Sequence, residues 1–162
     1  MSEDSERSFC PDTPNNNLRD LIVADGAQEN YFENVYRVSE FNPINRDSFR
    51  ASIEEPFYTG TGSHNRCNRD MVMAQKESVI DIGDYSVSFF QDLKDIKRIL
   101  KIKQKHSPAP IIVEGDIVPD YGYSILTKNS KTRRIYRNDS HIDLWKYSDT
   151  DLVPFFKKIE VE

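Results

Sequence analysis

The chain has three histidines, His64, His106 and His141, and histidine is the side chain best suited to moving protons near neutral pH. Two histidines can cleave RNA without a metal ion when one removes a proton and the other donates one. The segment "KNSKTRRIYR" could hold phosphates, and Tyr136 or Trp145 could stack on a base. A metal-independent ribonuclease or an RNA-binding domain is therefore one hypothesis, although surface histidines beside a solvated basic loop produce the same pattern. The RNA contacts would come from Lys128, Lys131, Arg133, Arg134 and Arg137.

A metal site is a second possible use of the last histidine. His141 and Asp143 are two residues apart, so on a strand their side chains would share a face. Asp139 or Asp149 would have to complete the set of ligands. Two potential ligands in isolation are a weak signal, and the sequence predicts no metal site.

The polar segment "YTGTGSHNRCNRD" predicts a surface loop. Its glycines are not followed by the Gly-Lys-Ser/Thr ending of a phosphate-binding loop, although its histidine and arginines could bind an anion. Cys67 lies between Arg66 and Arg69, whose charges would favour the thiolate, but no partner base is evident.

The pattern of apolar residues predicts an α+β domain with a mixed, mostly antiparallel sheet of about six strands and two or three helices. The clearest helix is "DLKDIKRILKIK", in which Asp92 can cap the first turn and Leu93, Ile96 and Leu100 recur at helical spacing. Its basic residues are typical of the solvent-facing side of a helix packed on a sheet. Strands are predicted in "NVYRVSEF", "YSVSFF", "PIIVEGDIVP", "YSILT", "TRRIYR" and the C-terminal "LVPFFKKIEVE".

The order of these elements along the chain also supports a functional interpretation. An early strand "VYRVS", a strand "YSVSFF" leading directly into a helix, and a later strand "PIIVEGDIV" resemble the layout of ADP-ribosyltransferase-like domains. In that family an arginine on the first strand grips NAD, a serine-bearing strand supports the nicotinamide side, and a glutamate on a later strand orients the ribose.

The resemblance implies a role for several residues of this chain. Arg37 would hold NAD, with Tyr36 and Ser86 as further cofactor contacts, and Ser88 would support the catalytic side. The terminal "EVE" would supply the acid as Glu160 or Glu162. A guanidinium binds phosphate or ribose oxygens through two parallel hydrogen bonds, and a carboxylate can stabilise positive charge on a sugar.

The chain also resembles uncharacterised bacterial domains that begin with a "YR…NP" pattern and contain a later "H…W" segment. The matching residues are Tyr36-Arg37, Asn42-Pro43, His141 and Trp145. This second resemblance implies no known activity.

The net charge of -5 is concentrated at the N terminus, because residues 1–30 hold seven acids and two bases. Residues 1–17 are polar and predict a flexible acidic arm, followed by a single domain over residues 18–162. A third hypothesis is therefore a non-enzymatic interaction domain, whose acidic arm and basic helix meet partners of opposite charge.

We expect a cytoplasmic protein that does not bind membranes. No apolar run approaches the roughly 20 residues of a spanning helix, and the first residues lack the pattern of a secretory signal. Cys10 and Cys67 are the only cysteines, which is too few for a disulfide framework.

Overall fold

The computed structural model describes residues 7–10, 17–51, 54, 82–105, 107–131 and 139–160. These residues form two α-helices and a six-stranded antiparallel sheet, which confirms the predicted α+β class. The helices are α1 (Leu18–Asp25) and α2 (Leu93–Lys103). The strands are β1 (Phe32–Ser39), β2 (Val87–Phe90), β3 (Ile111–Ile117), β4 (Gly122–Leu126), β5 (His141–Lys146) and β6 (Phe156–Ile159).

The strands lie in the order β4-β5-β2-β1-β3-β6, and all neighbours are antiparallel. The ladder between β1 and β3 is long and ends with Ser39 opposite Ile111. In contrast, β1 and β2 are paired at one position, Tyr36 opposite Phe90. The sheet is therefore weakly joined at its centre, between its third and fourth strands.

Helix α2 begins at a side-chain cap, as predicted. Asp92 Oδ1 accepts a hydrogen bond from Lys94 N at 2.9 Å, and Asp95 lies in the first turn, where a carboxylate interacts favourably with the helix dipole. Ile96 is buried and packs with Val38 of β1. The cap and the apolar stripe together place α2 across the centre of one sheet face.

The two faces of the sheet bury different residues. The α2 face carries two apolar clusters: one lies under α2 around Val38 and Ile96, and the other lies under α1 around Trp145. The Trp145 Nε1 donates a hydrogen bond to Ile82 O at 2.9 Å. The opposite face buries a larger cluster, which includes Val35, Phe89 and Phe156, under residues that belong to turns. Neighbouring residues of β1 consequently serve different cores, as the alternation in its sequence predicts.

Residues 7–10 pack onto the domain, although their composition predicted a flexible arm. Phe9 is 6% exposed, forms a backbone bridge with Tyr147 and stacks on its ring, with centroids 5.4 Å apart. Arg7 Nη2 lies 2.7 Å from the carboxylate of Asp149. These four residues of the predicted arm are therefore ordered against the domain, because burial of one aromatic ring and an ion pair offset the entropy lost on ordering them.

Three short segments also differ from their predicted form. Phe155 was expected on a strand face, but it is 54% exposed in a 3-10 turn that contains Pro154, and the strand begins one residue later. The pattern of "NRDSFRASIEEPF" predicts a short helix bounded by Pro56, but the described part of this segment contains a 3-10 turn over Arg46–Phe49. Tyr85, at the start of the predicted strand "YSVSFF", lies in a 3-10 turn before β2. The predicted strand "TRRIYR" falls outside the described residues.

Neither α-helix in the described part of the chain could cross a bilayer. They contain 8 and 11 residues, and a spanning helix needs about 20 apolar ones.

Replacing Phe9 by alanine should lower the free energy of unfolding by about 3 kcal/mol, because loss of a buried ring removes its transfer free energy and leaves a cavity. Urea denaturation followed by circular dichroism measures the change. The matched control is Cys10→Ala, at an exposed neighbouring position, which should change stability by less than about 0.5 kcal/mol. Equal stabilities for the two variants would mean that this segment does not contribute to the fold.

Candidate functional site

A cavity of about 280 Å³ opens beside the centre of the sheet, where β1 and β2 stop pairing. Residues of β1, β2, β5 and α2 line it, together with the segment that follows β1. Three predicted site residues, Arg37, Ser88 and His141, are among them. The charged residues that line it are the cations Arg37, Arg50 and Lys103 and the carboxylates Glu40 and Asp47.

Arg37 crosses the gap between the two central strands. Its Nε donates to Ser48 O at 2.7 Å, its Nη1 to Ser88 O at 2.9 Å and its Nη2 to Arg50 O at 3.0 Å. The guanidinium therefore satisfies carbonyls of β2 and of the turn after β1 at the place where the strand ladder stops. The same group contributes a positive charge to the cavity wall.

A chain of hydrogen bonds leads from the cavity into the sheet. Ser88 Oγ lies 2.9 Å from His141 Nε2, and His141 Nδ1 is hydrogen-bonded to Thr127 Oγ1. Thr127 Oγ1 donates to Asp143 Oδ2 at 2.8 Å, and Ser86 Oγ donates to Asp143 Oδ1 at 2.7 Å. Asp143 and Ser86 are each only 1% exposed, so their carboxylate and hydroxyl are satisfied by protein groups.

The register between β2 and β5 assembles this chain. Ser88 lies opposite Asp143, and Phe90 lies opposite His141, so the four side chains share the α2 face. The Phe90 ring meets the imidazole edge to face, with centroids 5.2 Å apart. Thr127 belongs to the turn directly after β4, the strand that pairs with β5 on its other side.

The tautomer of His141 follows from the single hydroxyl proton of Thr127. An ionised carboxylate only accepts hydrogen bonds, so Thr127 uses its one hydroxyl proton toward Asp143. Thr127 Oγ1 must then accept from His141 Nδ1–H. In the neutral imidazole Nε2 therefore carries no proton and accepts from the Ser88 hydroxyl.

Glu40 pairs with two of the cations in the cavity. Its Oε1 lies 3.5 Å from Arg50 Nη2, and its Oε2 lies 3.5 Å from Lys103 Nζ. Partial burial would raise the pKa of Glu40, but the charge of Lys103, hydrogen bonds from Ser107 and Lys103, and the charge of Arg50 together lower the pKa below its ordinary range. Glu40 is therefore ionised at neutral pH and neutralises part of the positive charge.

Glu160 does not reach this site. It follows the edge strand β6, which is three strands, or roughly 14 Å, from β2. Its side chain is 88% exposed and lies 3.5 Å from Lys158 Nζ. The acid beside the serine strand is Asp143, which corrects the predicted arrangement, and Glu162 lies outside the described residues.

Tyr36 and Ser86 are also separate from the cavity-lining groups. Tyr36 packs on the α2 face beside Glu114 of β3, and desolvation, the charge of Glu114 and a hydrogen bond to it raise the pKa of the phenol. Ser86 is buried against Asp143. Their predicted contacts with a cofactor stay predictions, and the observed contacts are structural.

The residues of the RNA hypothesis are described only in part. Lys128 and Lys131 are exposed after β4. The arginines Arg133, Arg134 and Arg137 fall in a range that the structure does not describe, and so do His64, His106 and Cys67. The pairing of histidines therefore stays a prediction.

The two possible further metal ligands belong to ion pairs. Asp139 lies 3.3 Å from Arg98 Nη2, and Asp149 lies 2.7 Å from Arg7 Nη2. Among the residues with described positions, no group of three or more His, Cys, Asp or Glu side chains is arranged to hold a metal ion.

Sequence reasoning missed Thr127, Lys103 and Glu40 as parts of the site. The spacing of His141 and Asp143 did place them on one face, and the same alternation applies to the serines of β2. No local pattern indicates that Thr127 or Lys103 approaches these strands, because each contact joins segments that are far apart in sequence.

Comparisons with known proteins add no relative. No protein-family model, no curated protein and no solved structure matches this chain.

Acidification should destabilise the wild type more than a Glu40→Gln variant. Because the pKa of Glu40 is lower in the folded state, its ionised form stabilises the fold above the unfolded pKa of about 4.3, and this contribution is lost as the pH falls through the folded pKa. Urea unfolding at neutral pH and at about pH 3 measures the difference. Glu33→Gln, at an exposed position of β1, is the control. If both variants changed the pH dependence equally, the ion pairs of Glu40 would have no special effect.

Proposed function

We propose that this protein binds NAD in the cavity between the central strands and α2, and that it transfers or hydrolyses the ADP-ribose part. The observation that carries the proposal is that Arg37 of β1, Ser88 of β2 and His141 of β5 line one cavity. An ADP-ribosyltransferase-like layout calls for an arginine on the first strand, a serine strand that leads into a helix, and an acid on a later strand. Here the later strand is β5, and its acid is Asp143, behind His141.

The charges at the cavity support a ligand with phosphate groups. Among the described residues that line the cavity, the cations Arg37, Arg50 and Lys103 exceed the two carboxylates by one charge. Guanidinium and ammonium groups are the usual protein partners of phosphate, and Arg50 and Lys103 are already positioned around one anion, the Glu40 carboxylate. A diphosphate would compete with Glu40 for these two cations.

The uncharged part of the lining supports a ligand with a sugar and an aromatic ring. Ser88 and His141 offer hydrogen bonds to ribose hydroxyls, and apolar side chains such as Phe41 and Ile99 offer a surface to a flat base. At about 280 Å³ the cavity lies just below the usual size range of small-molecule sites. It would enclose one half of a dinucleotide, with the other half at the surface.

In the proposed reaction the bond between nicotinamide and ribose C1′ breaks, and nicotinamide leaves with the bonding electron pair. Water or an acceptor hydroxyl then forms a bond to C1′ and loses a proton. His141 Nε2, which accepts from the Ser88 hydroxyl, would take this proton through Ser88 Oγ, and the hydrogen bond between Nδ1 and Thr127 leaves Nε2 as the unprotonated nitrogen. Asp143 would stabilise the imidazolium through Thr127.

Millimolar NAD should raise the melting temperature of the wild-type protein, because a ligand that binds only the folded state stabilises it. Lys103→Ala should shrink this shift, since Lys103 lines the cavity. Lys101→Ala, at an exposed position of the same helix, is the matched control and should leave the shift unchanged. Chromatography of released nicotinamide gives a second readout, which Ser88→Ala and His141→Asn should lower by about 100-fold or more.

For Arg37 variants the melting temperature without ligand must be measured first. Arg37→Ala removes hydrogen bonds to three carbonyls and should lower the melting temperature without any ligand. The shift is therefore measured against the ligand-free melting temperature of each variant. Absence of both a shift and nicotinamide release from the wild type at millimolar NAD would rule the proposed function out.

A further inference from the structure

We propose that Ser88 is an activated nucleophile, with His141 as its general base, and that it attacks esters that carry an anionic group. This inference goes beyond NAD chemistry and does not depend on it, since it concerns the intrinsic reactivity of one hydroxyl. It rests on three observations: the Ser88–His141 contact, the orientation of the imidazole by a third group, and the position of both residues at a cavity whose lining includes cationic side chains.

The first observation is the path of the serine proton. Ser88 Oγ lies 2.9 Å from His141 Nε2, within hydrogen-bond reach, and Nε2 is the unprotonated nitrogen of the neutral ring. A weakly nucleophilic hydroxyl becomes reactive when an adjacent base takes its proton during attack. The bond between Ser88 and His141 has this geometry.

The second observation is what holds the base. Thr127 Oγ1 accepts a hydrogen bond from His141 Nδ1–H and donates its own hydroxyl hydrogen bond to Asp143. The carboxylate lies 4.0 Å from Nδ1, and it is 2% exposed, so its charge acts on the ring through little solvent. Thr127 and Asp143 are positioning residues: they fix the tautomer and stabilise the imidazolium that forms when Ser88 attacks.

The third observation concerns access and charge. Ser88 and His141 line the cavity, whereas Ser86, the other serine near Asp143, is buried behind them. Arg50 and Lys103 line the same cavity, where both pair with Glu40, and the anionic group of a substrate would compete with that carboxylate for them. Ser88 is thus the member of the hydrogen-bonded chain that an entering ester would meet first.

The reaction follows from these contacts. Ser88 Oγ forms a bond to the carbonyl carbon of the ester while its proton moves to His141 Nε2. The bond from carbon to the leaving oxygen then breaks, and the alcohol leaves with the proton from the imidazolium. Water, deprotonated in turn by His141, cleaves the acyl-serine and releases the acid, which restores both side chains.

A fluorophosphonate probe tests the nucleophile without a known substrate. Attack would form a bond from Ser88 Oγ to phosphorus, expel fluoride with its electron pair and leave the serine proton on His141. Mass spectrometry of peptides from the labelled wild-type protein should place one adduct on Ser88 and none on Ser48. Ser48 also lines the cavity, but it is 2% exposed and its Oγ bonds to Ser39 Oγ and Asn45 N instead of a histidine, so burial and the absence of a base both oppose its labelling. The denatured protein gives the reference rate for a serine without a positioned base.

Variants test the general base and its positioning. His141→Asn should slow labelling by about 100-fold or more. Thr127→Val should slow it as well, and Thr127→Ser, which restores the hydroxyl, should recover it. Circular dichroism identifies any variant that does not fold, and the site of labelling in the wild type needs no variant. Labelling of Ser48 as fast as Ser88, or no labelling of the folded wild type above its denatured form, would overturn the proposal.

Discussion

The structure depends on the guanidinium of Arg37, because it replaces the missing ladder between the two central strands. β1 and β2 are paired only at Tyr36 and Phe90, and beyond that pair the carbonyl of Ser88 is held by the Arg37 side chain. The Arg37 side chain spans a larger distance than a direct hydrogen bond between two backbones, so it can connect β1 and β2 where they are farther apart than in a regular ladder. Hydrogen bonds from a charged donor contribute about 1.5–3 kcal/mol each, so this arrangement can be stable. The cavity opens at the place where this side chain bridges the strands.

The interior of the sheet next to that gap is polar, and its polar groups satisfy one another. Asp143 would be costly to bury alone, but hydroxyls of Ser86 and Thr127 donate to both of its oxygens. The same bonds orient His141 toward Ser88. One set of contacts therefore stabilises the sheet and also orders a histidine at the wall of a cavity.

Features that depend on short-range patterns, such as strands and helix caps, could be predicted from the sequence. Contacts between segments that are distant along the chain could not. Alternation along β1 and the cap at Asp92 are local, and both are present in the structure. The resemblance implied Glu160 as the acid on a late strand, but the strand order puts β6 at the edge and β5 beside β2. Strand order is set by packing of the whole sheet, so no single window of the sequence indicates it. Phe9 shows the same limit, since one buried ring outweighed a polar composition.

The outer strands of the sheet end its hydrogen-bonding pattern in two different ways. The edge of β4 is covered by backbone hydrogen bonds between Ser124 and Gln28. The edge of β6 is not covered in this way by any described residue, but Lys157 and Lys158 are exposed along it. Two molecules that approached each other edge to edge at β6 would bring four ammonium groups together, which opposes growth of the sheet into an intermolecular aggregate.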